Sequence, residues 1–232
     1  MSAAEARSTR LERLLDSEEE SAVKSIIETV HGSFVHTRRV ETLAAHVSDL
    51  LPRGLSVLDV GCGDGLLAAH VTKRRPDLQI SGIDVLVRGS THIPVRAFDG
   101  TTIPFPSRSI DAVVFVDVLH HTVDPLVLLR EAVRVSRGIV ILKDHTRDGF
   151  LAGPTLRVMD WVGNARHGVA LPYNYLSTFE WRRAFKAVGL RPVAWRDELA
   201  LYPTPANWIF ERSLHFIALL STAHAEATAS NN

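Results

Sequence analysis

Three glycines, Gly61, Gly63 and Gly65, alternate with other residues in the stretch VLDVGCGDG, directly behind an apolar run. A strand that ends in Asp59-Val60 and enters such a turn before a helix brings bare backbone against a ligand, because no side chain stands between them. A ligand is therefore expected at the carboxyl end of that strand. Asp84 closes a second strand, ISGIDV, about twenty residues further on, where the ribose hydroxyls of a nucleoside would be read. Together the turn and the carboxylate point to a nucleoside-containing cofactor. Dinucleotide folds space their glycines G-x-G-x-x-G, whereas this turn reads G-x-G-x-G.

Histidines supply the second group of chemical candidates. His145 follows the apolar run GIVILKD, and His120 and His121 follow IDAVVFVDVL. Histidine changes charge near neutral pH, so a general base is the role to weigh at each, against packing or lining a ligand. His145 is the first candidate and the His120, His121 pair the second. Adjacent histidines after a strand diverge, and neither they nor Asp117 or His145 fall at a familiar ligand spacing, so no metal site is expected. Cys62, inside the turn, reads as a small buried residue rather than a nucleophile.

The elements that must position these residues are legible as alternating patterns. SVLDV, LQISGIDV, IPVRAF, IDAVVFVDVL and GIVILKD are short, β-branched and apolar, and LLAAHVTKRR and PLVLLREAVRV between them have helical spacing. Strands separated by helical crossovers predict a mostly parallel sheet with helices on both faces. Residues 1–52 read as an N-terminal helical cap, with a capping-box pattern at Ser17 and Glu20 and helical spacing in HTRRVETLAAHVSDLL. A sheet domain over 53–220 follows, with an irregular insertion at 144–177 that holds Trp161, Tyr173 and Tyr175 and is expected to face the substrate. Thr178 to Val188 reads as a helix. RPVAWRDELAL and WIFERSLHFIALL read as two final strands, and 221–232 as a disordered tail.

Composition excludes several classes. The 232 residues are 46% hydrophobic and 22% charged with zero formal net charge, and lysine occurs only at Lys24, Lys73, Lys143 and Lys186. No basic block neutralises phosphates, so nucleic acid is not the expected partner. The N-terminus is charged where a signal peptide needs an apolar core, and the most apolar late run, Ile209 to Leu220, is too short to span a bilayer as a helix. A cytoplasmic protein without a membrane span is expected; its oligomeric state, a homodimer included, is left open.

The ordered motifs VLDVGCGDG, GIDV and FDGTTIPFPSRSIDAVVFVDVLHHTVDPLVLLREAVRV resemble class I S-adenosylmethionine-dependent methyltransferases of the small-molecule, type 11 kind, over roughly Arg53 to Asp144. The resemblance implies a Rossmann-like sheet of seven strands with an antiparallel last strand, and S-adenosylmethionine as cofactor. It implies that Asp59, Gly61, Cys62, Gly63 and Gly65 surround the methionine moiety, that Asp84 with Val85 holds the ribose, and that Phe98, Asp99 and Gly100 flank the adenine. Val116, Asp117 and Leu119 would line the methionine end. Arms such as His31 to Arg39 cover the cofactor in that family, so Phe34 or Arg38 could close the site or simply face solvent. Methyl transfer from a sulfonium is an in-line displacement in which positioning carries much of the rate, while a hydroxyl acceptor also needs a base. Asn164 and Asn174 could bond an acceptor or serve a turn. LPYNY is similar to an amino-methyltransferase signature that follows the fourth strand, but here it lies some fifty residues later. A small-molecule acceptor methylated at oxygen or nitrogen is the expectation; an NAD-dependent oxidoreductase and a non-catalytic cofactor-binding protein are the rival readings.

Overall fold

β-branched runs bounded by turn residues become the strands of one seven-stranded sheet in the computed structural model, which describes residues 36–164, 174–204, 207–211 and 213–222. The strands are β1 (Ser56–Val60), β2 (Gln79–Asp84), β3 (Val95–Ala97), β4 (Ile110–Val116), β5 (Ser136–His145), β6 (Leu190–Arg196) and β7 (His215–Thr222). Their spatial order is β3-β2-β1-β4-β5-β7-β6. The pairs among β1 to β5 are parallel, and β7 runs antiparallel between β5 and β6. The order reverses between β1 and β4, and in such sheets a crevice opens there beyond the carboxyl ends of the strands.

Helices cover both faces: α1 (residues 36–50), α2 (Leu66–Arg74), α3 (Pro125–Val135), α4 (Ala152–Asn164), α5 (Thr178–Ala187) and the short α6 (Asn207–Phe210). One face of the sheet packs Leu58, Val60, Val113 and Phe115 against Leu128, Leu129 and Ala132 of α3 and Trp181 and Phe185 of α5. The other packs Val57, Val114, Ile141 and Ile217 against Leu43, Ala44 and Val47 of α1 and Val71 of α2. α3 starts where Asp124 accepts a hydrogen bond from Leu126 N–H with Pro125 at the first helical position, and α5 starts at a capping box between Ser177 and Glu180. Carbonyls of Ser48 and Leu51 at the end of α1, and of Pro52 just beyond, accept hydrogen bonds from Arg75.

Several boundaries differ from those expected. The chain falls into units Met1–Arg39 and Val40–Asn232, so α1 from Val40 onward belongs to the core of the sheet domain rather than to a cap ending at Pro52. Part of the 144–177 insertion is helical, as α4, because LRVM carries an apolar face that buries Leu156 with Ala152, Tyr175 and Leu214. The stretch expected to be the last strand begins as α6, and the strand starts only at His215. β7 continues through Ser221 and Thr222 into the expected tail. Ser17, Glu20, His31, Phe34 and Tyr173, and residues 223–232, lie outside the described residues.

The contact that seats the glycine turn against the neighbouring strand is tight. Gly61 has φ +74°, and a Cβ there would lie 2.6 Å from Val118 Cγ2, just beyond β4. Gly61→Ala should lower the unfolding free energy by roughly 2–4 kcal/mol, from left-handed strain plus overpacking. Urea denaturation checks this, and adding Val118→Ala should recover the packing part only.

Candidate active site

Each glycine of the turn has its own reason. Gly61 N–H and Cys62 N–H donate to Ile83 O at 2.8 and 3.3 Å, which ties the turn to the end of β2. Gly65, with φ +77°, is the N-cap of α2 and sits against Ile93. Gly63, with φ +60°, has nothing within 4 Å of where a Cβ would stand. Backbone at Gly63 therefore faces open space, where a side chain would otherwise stand. Asp84 Oδ2 accepts from Gly63 N–H at 2.8 Å and Oδ1 from Leu86 N–H at 2.8 Å, so this carboxylate fixes the turn as well as standing beside it.

The remaining expected cofactor residues divide. Val85 is exposed and touches the position above Gly100, which has φ +82°. Asp99 uses Oδ1 to accept from Thr102 N–H, Thr101 N–H and Thr101 Oγ1, and these hydrogen bonds lower its pKa. Phe98 packs partly buried on the core and Leu119 is buried within it, so the Leu119 side chain fills the interior rather than lining an opening. Val116 packs on the opposite core. Cys62 Sγ packs against Gly82, and burial, with Asp59 and Asp84 nearby, pushes its thiol upward, away from thiolate chemistry.

Beyond the carboxyl ends of β4 and β5 the histidines come together with groups the sequence reading passed over. Lys143 is fully buried in β5, ion-paired with Asp117, and its Nζ lies 3.3 Å from His215 Nδ1 on β7. An ammonium only donates, so His215 accepts at Nδ1 and donates from Nε2 to Phe210 O at 2.9 Å. Asp117 adopts φ +57°, an uncommon conformation for a non-glycine residue that turns its carboxylate back toward Lys143. His120 lies in a short 3-10 turn, Leu119–His121, and its Nδ1 is 2.6 Å from Asp144 Oδ1. Asp144 is fully buried and also accepts from Leu119 N–H at 3.1 Å and His145 N–H at 2.8 Å. Burial opposes its ionisation, but the His120 charge and hydrogen bonds from His120 and His145 outweigh that and hold it well below the usual carboxylate range.

His145, the first-choice base, is the last residue of β5 and is buried. Its Nδ1 lies 3.4 Å from His120 Nδ1, 3.5 Å from Asp144 Oδ1 and 3.7 Å from Asp117 Oδ1, and its carbonyl accepts from Trp181 Nε1 at 2.9 Å. Burial and the neighbouring Lys143 depress its pKa to about 4. His121 stacks beside His120 with ring centroids 4.0 Å apart. His120, Asp144 and His145 lie close enough to share a cation, yet Asp144 Oδ1 already accepts from His145 N–H and His120 Nδ1. A metal would have to replace the second of these protons. Asn174, at the end of the insertion, donates to the carbonyls of Thr122 and Val123 at 3.2 Å, a long-range tie to the loop before α3 rather than a bond within its own turn. The side chains of Trp161 and Asn164 lie outside the described residues.

Asp59, buried on β1, has its pKa pushed up to about 7 by burial first and by Asp84 second. A carboxylate neutral in the folded chain and ionised in the unfolded one makes stability fall as pH rises from its ordinary value, about 4, to about 7, and level off above. Relative to Asp59→Asn, the wild type should lose about 4 kcal/mol across that window, as read by urea unfolding at a series of pH values.

Known proteins resemble this chain in sequence and in fold. An uncharacterized methyltransferase from Mycobacterium sp. (strain JLS) is 33% identical over 140 residues, 53% of this chain and 54% of the relative. The 27-O-demethylrifamycin SV methyltransferase of Amycolatopsis mediterranei is 29% identical over 114 residues, 44% of this chain and 41% of that protein. The chain thus spans about half the length of the curated relatives it matches. Among solved structures, a SAM-dependent methyltransferase from Aquifex aeolicus shares the fold at TM-score 0.54 and 18% identity, covering 77% of this chain and 88% of that one. Geranyl diphosphate C-methyltransferase from Streptomyces coelicolor A3(2), solved with Mg2+, geranyl diphosphate and S-adenosyl-L-homocysteine, does so at TM-score 0.58 and 16% identity, covering 78% of each chain. Residues 34–194, more than half of the chain, match the family described as Methyltransferase domain, and the chain belongs to that family.

Proposed function

We propose that this chain transfers a methyl group from S-adenosylmethionine to oxygen or nitrogen of a small-molecule acceptor. The observation that carries the reading is the open side of Gly63 with the Asp84 carboxylate bonded across the turn. A β-carbon at that glycine would stand in ligand space, and a carboxylate there suits paired ribose hydroxyls. The residues therefore fit the cofactor, which when bound supplies an electrophilic methyl carbon on a sulfonium. Asp84, at the end of β2, would hold the ribose, and Asp59, on β1, the methionine amino group. The acceptor side would be the polar ends of β4, β5 and β7 beside the 144–177 insertion. A relative named for 27-O-demethylrifamycin SV and a structural neighbour named for geranyl diphosphate support a small organic acceptor. Among the described residues no helix is long and apolar enough to cross a membrane.

Two measurements test the reading. Asp84→Ala should weaken S-adenosylhomocysteine binding by about 2–4 kcal/mol in calorimetry, through loss of charge-assisted hydrogen bonds. Gly63→Val should remove binding while the circular dichroism of the fold remains. Near-parental affinity in either variant would place the cofactor elsewhere. A partner ammonium favours ionised Asp59, so binding near pH 6 should also release a proton, seen as a buffer-dependent enthalpy that Asp59→Asn abolishes.

A further inference from the structure

Three buried ligand atoms meet where the turn after β4 lies over the end of β5. We infer that His120, Asp144 and His145 form a binding site for one divalent transition ion of the zinc class, held by Nδ1 of each imidazole and by Oδ1 of the carboxylate. The inference goes beyond the methyl-transfer reading and does not depend on it. The ligand atoms of the three residues all lie within 4.8 Å of one another, and all three residues are buried. No familiar ligand spacing runs along the chain because the site is made across strands: β4 pairs in parallel with β5, and Leu119 N–H in the turn after β4 donates to Asp144 on β5. Adjacent histidines do diverge, and of the pair only His120 belongs to the cluster.

The separations suit a tetrahedral ion. Bonds of about 2.0–2.1 Å to nitrogen and oxygen set the ligand atoms roughly 3.3–3.4 Å apart around such an ion. His145 Nδ1 already stands 3.4 Å from His120 Nδ1 and 3.5 Å from Asp144 Oδ1. The third edge, from His120 Nδ1 to Asp144 Oδ1, is 2.6 Å, the length of a hydrogen bond, and it opens by roughly 0.7 Å when an ion replaces the shared proton. The rings of His120 and His145 stand at 86° to each other, so both nitrogens can address one point without overlap of the rings. Asp117 Oδ1, 3.7 Å from His145 Nδ1, is a fourth oxygen within reach.

The ligands are also held in place, as metal ligands need to be. Asp144 accepts from Leu119 N–H at Oδ2 and from His145 N–H at Oδ1, so backbone from both elements fixes the carboxylate. The His120 ring packs on His121 and Tyr175, with centroids 4.0 and 5.7 Å away. Charge favours a cation as well. Asp117 and Asp144 stand against one ammonium, Lys143, so with neutral imidazoles the row is one positive charge short, and a bound ion supplies it. Lys143 is itself ion-paired with Asp117 and lies 3.3 Å from His215. Two imidazoles with one carboxylate suit zinc and its first-row neighbours, whereas magnesium and calcium prefer oxygen ligands alone. An ion here would fasten the turn after β4 to the end of β5.

Calorimetry and elemental analysis of the metal-stripped full chain test the inference, with zinc as the probe and cobalt(II) as its spectroscopic substitute. The wild type should bind one zinc per chain with a dissociation constant of about 1 μM or below, and its unfolding temperature should rise with zinc concentration. Magnesium should bind at least about 100-fold more weakly. Cobalt(II) should give the intense visible absorption of a four-coordinate site. His120→Gln and His145→Gln, each checked for fold by circular dichroism, should weaken zinc binding by about 100-fold or more, and Asp144→Asn should do likewise. His121→Gln should leave it unchanged, as should His92→Gln, which removes the surface pairing with Asp64. No zinc binding by the wild type, undiminished binding in either His120→Gln or His145→Gln, or a preference for magnesium overturns the inference. S-adenosylhomocysteine binding, measured on the same samples, reads the methyl-transfer proposal separately: its failure would overturn that reading and leave the zinc result standing.

Discussion

Placing Lys143, Asp144 and His145 side by side at the buried end of a central strand is the constraint around which the β4, β5 and β7 end of this domain is organised. An isolated ammonium or carboxylate in such an interior costs several kcal/mol, so each needs a partner brought to it. Lys143 receives Asp117, which must take φ +57° to provide it. Asp144 receives two backbone N–H groups and His120, which requires the chain to coil into a 3-10 turn directly after β4. His215 on β7 completes the row, and the antiparallel pairing that sets His215 opposite His145 is what lets its ring reach Lys143. The loop after β4 is therefore shaped by the ionisable row on β5.

The glycine-turn side is organised differently. It is built from backbone rather than from buried charge: a turn that only glycine can follow at Gly61 and Gly63, and one carboxylate, Asp84, that closes it. Val118 on Gly61 is where the two halves touch, so displacement of the turn reaches the residue two before His120. Asp59, at the end of β1, belongs to the same side, since its carboxyl is raised by burial and by the Asp84 that fixes the turn.

This difference explains what was legible in the sequence. Backbone cradles leave a local signature, and the glycine spacing, Asp84 and the strand–helix alternation were read from consecutive residues. The His120–Asp144 pair is not local, because it joins residues 24 apart through the register of β4 on β5. Lys143 left a sign that went unused: the run GIVIL continuing into KDH sets three ionisable residues on what reads as a buried strand, which is costly enough to suggest that each has a function. α4 was missed because its glycine and proline read as breakers, although Pro154 stands in its first turn, where no hydrogen bond is lost. α6 was merged with β7 because WIF suits either element, and only the seating of Leu214 in the small cluster with Leu156 and Tyr175 separates the two.

The different surroundings of the two histidines follow from the same physics. His145 is prominent in sequence because it ends a strand at the functional edge, but that position surrounds it with Lys143 on its own face of the strand and with the interior beneath α5, and both favour its neutral form. His120 has a less conspicuous place, in a short turn, yet the turn permits its ring to lie against an anchored carboxylate, which stabilises the charge it would gain. A strand end provides rigidity and a loop provides approach. Joining Asp144 on the strand to His120 in the turn gives the site both at once.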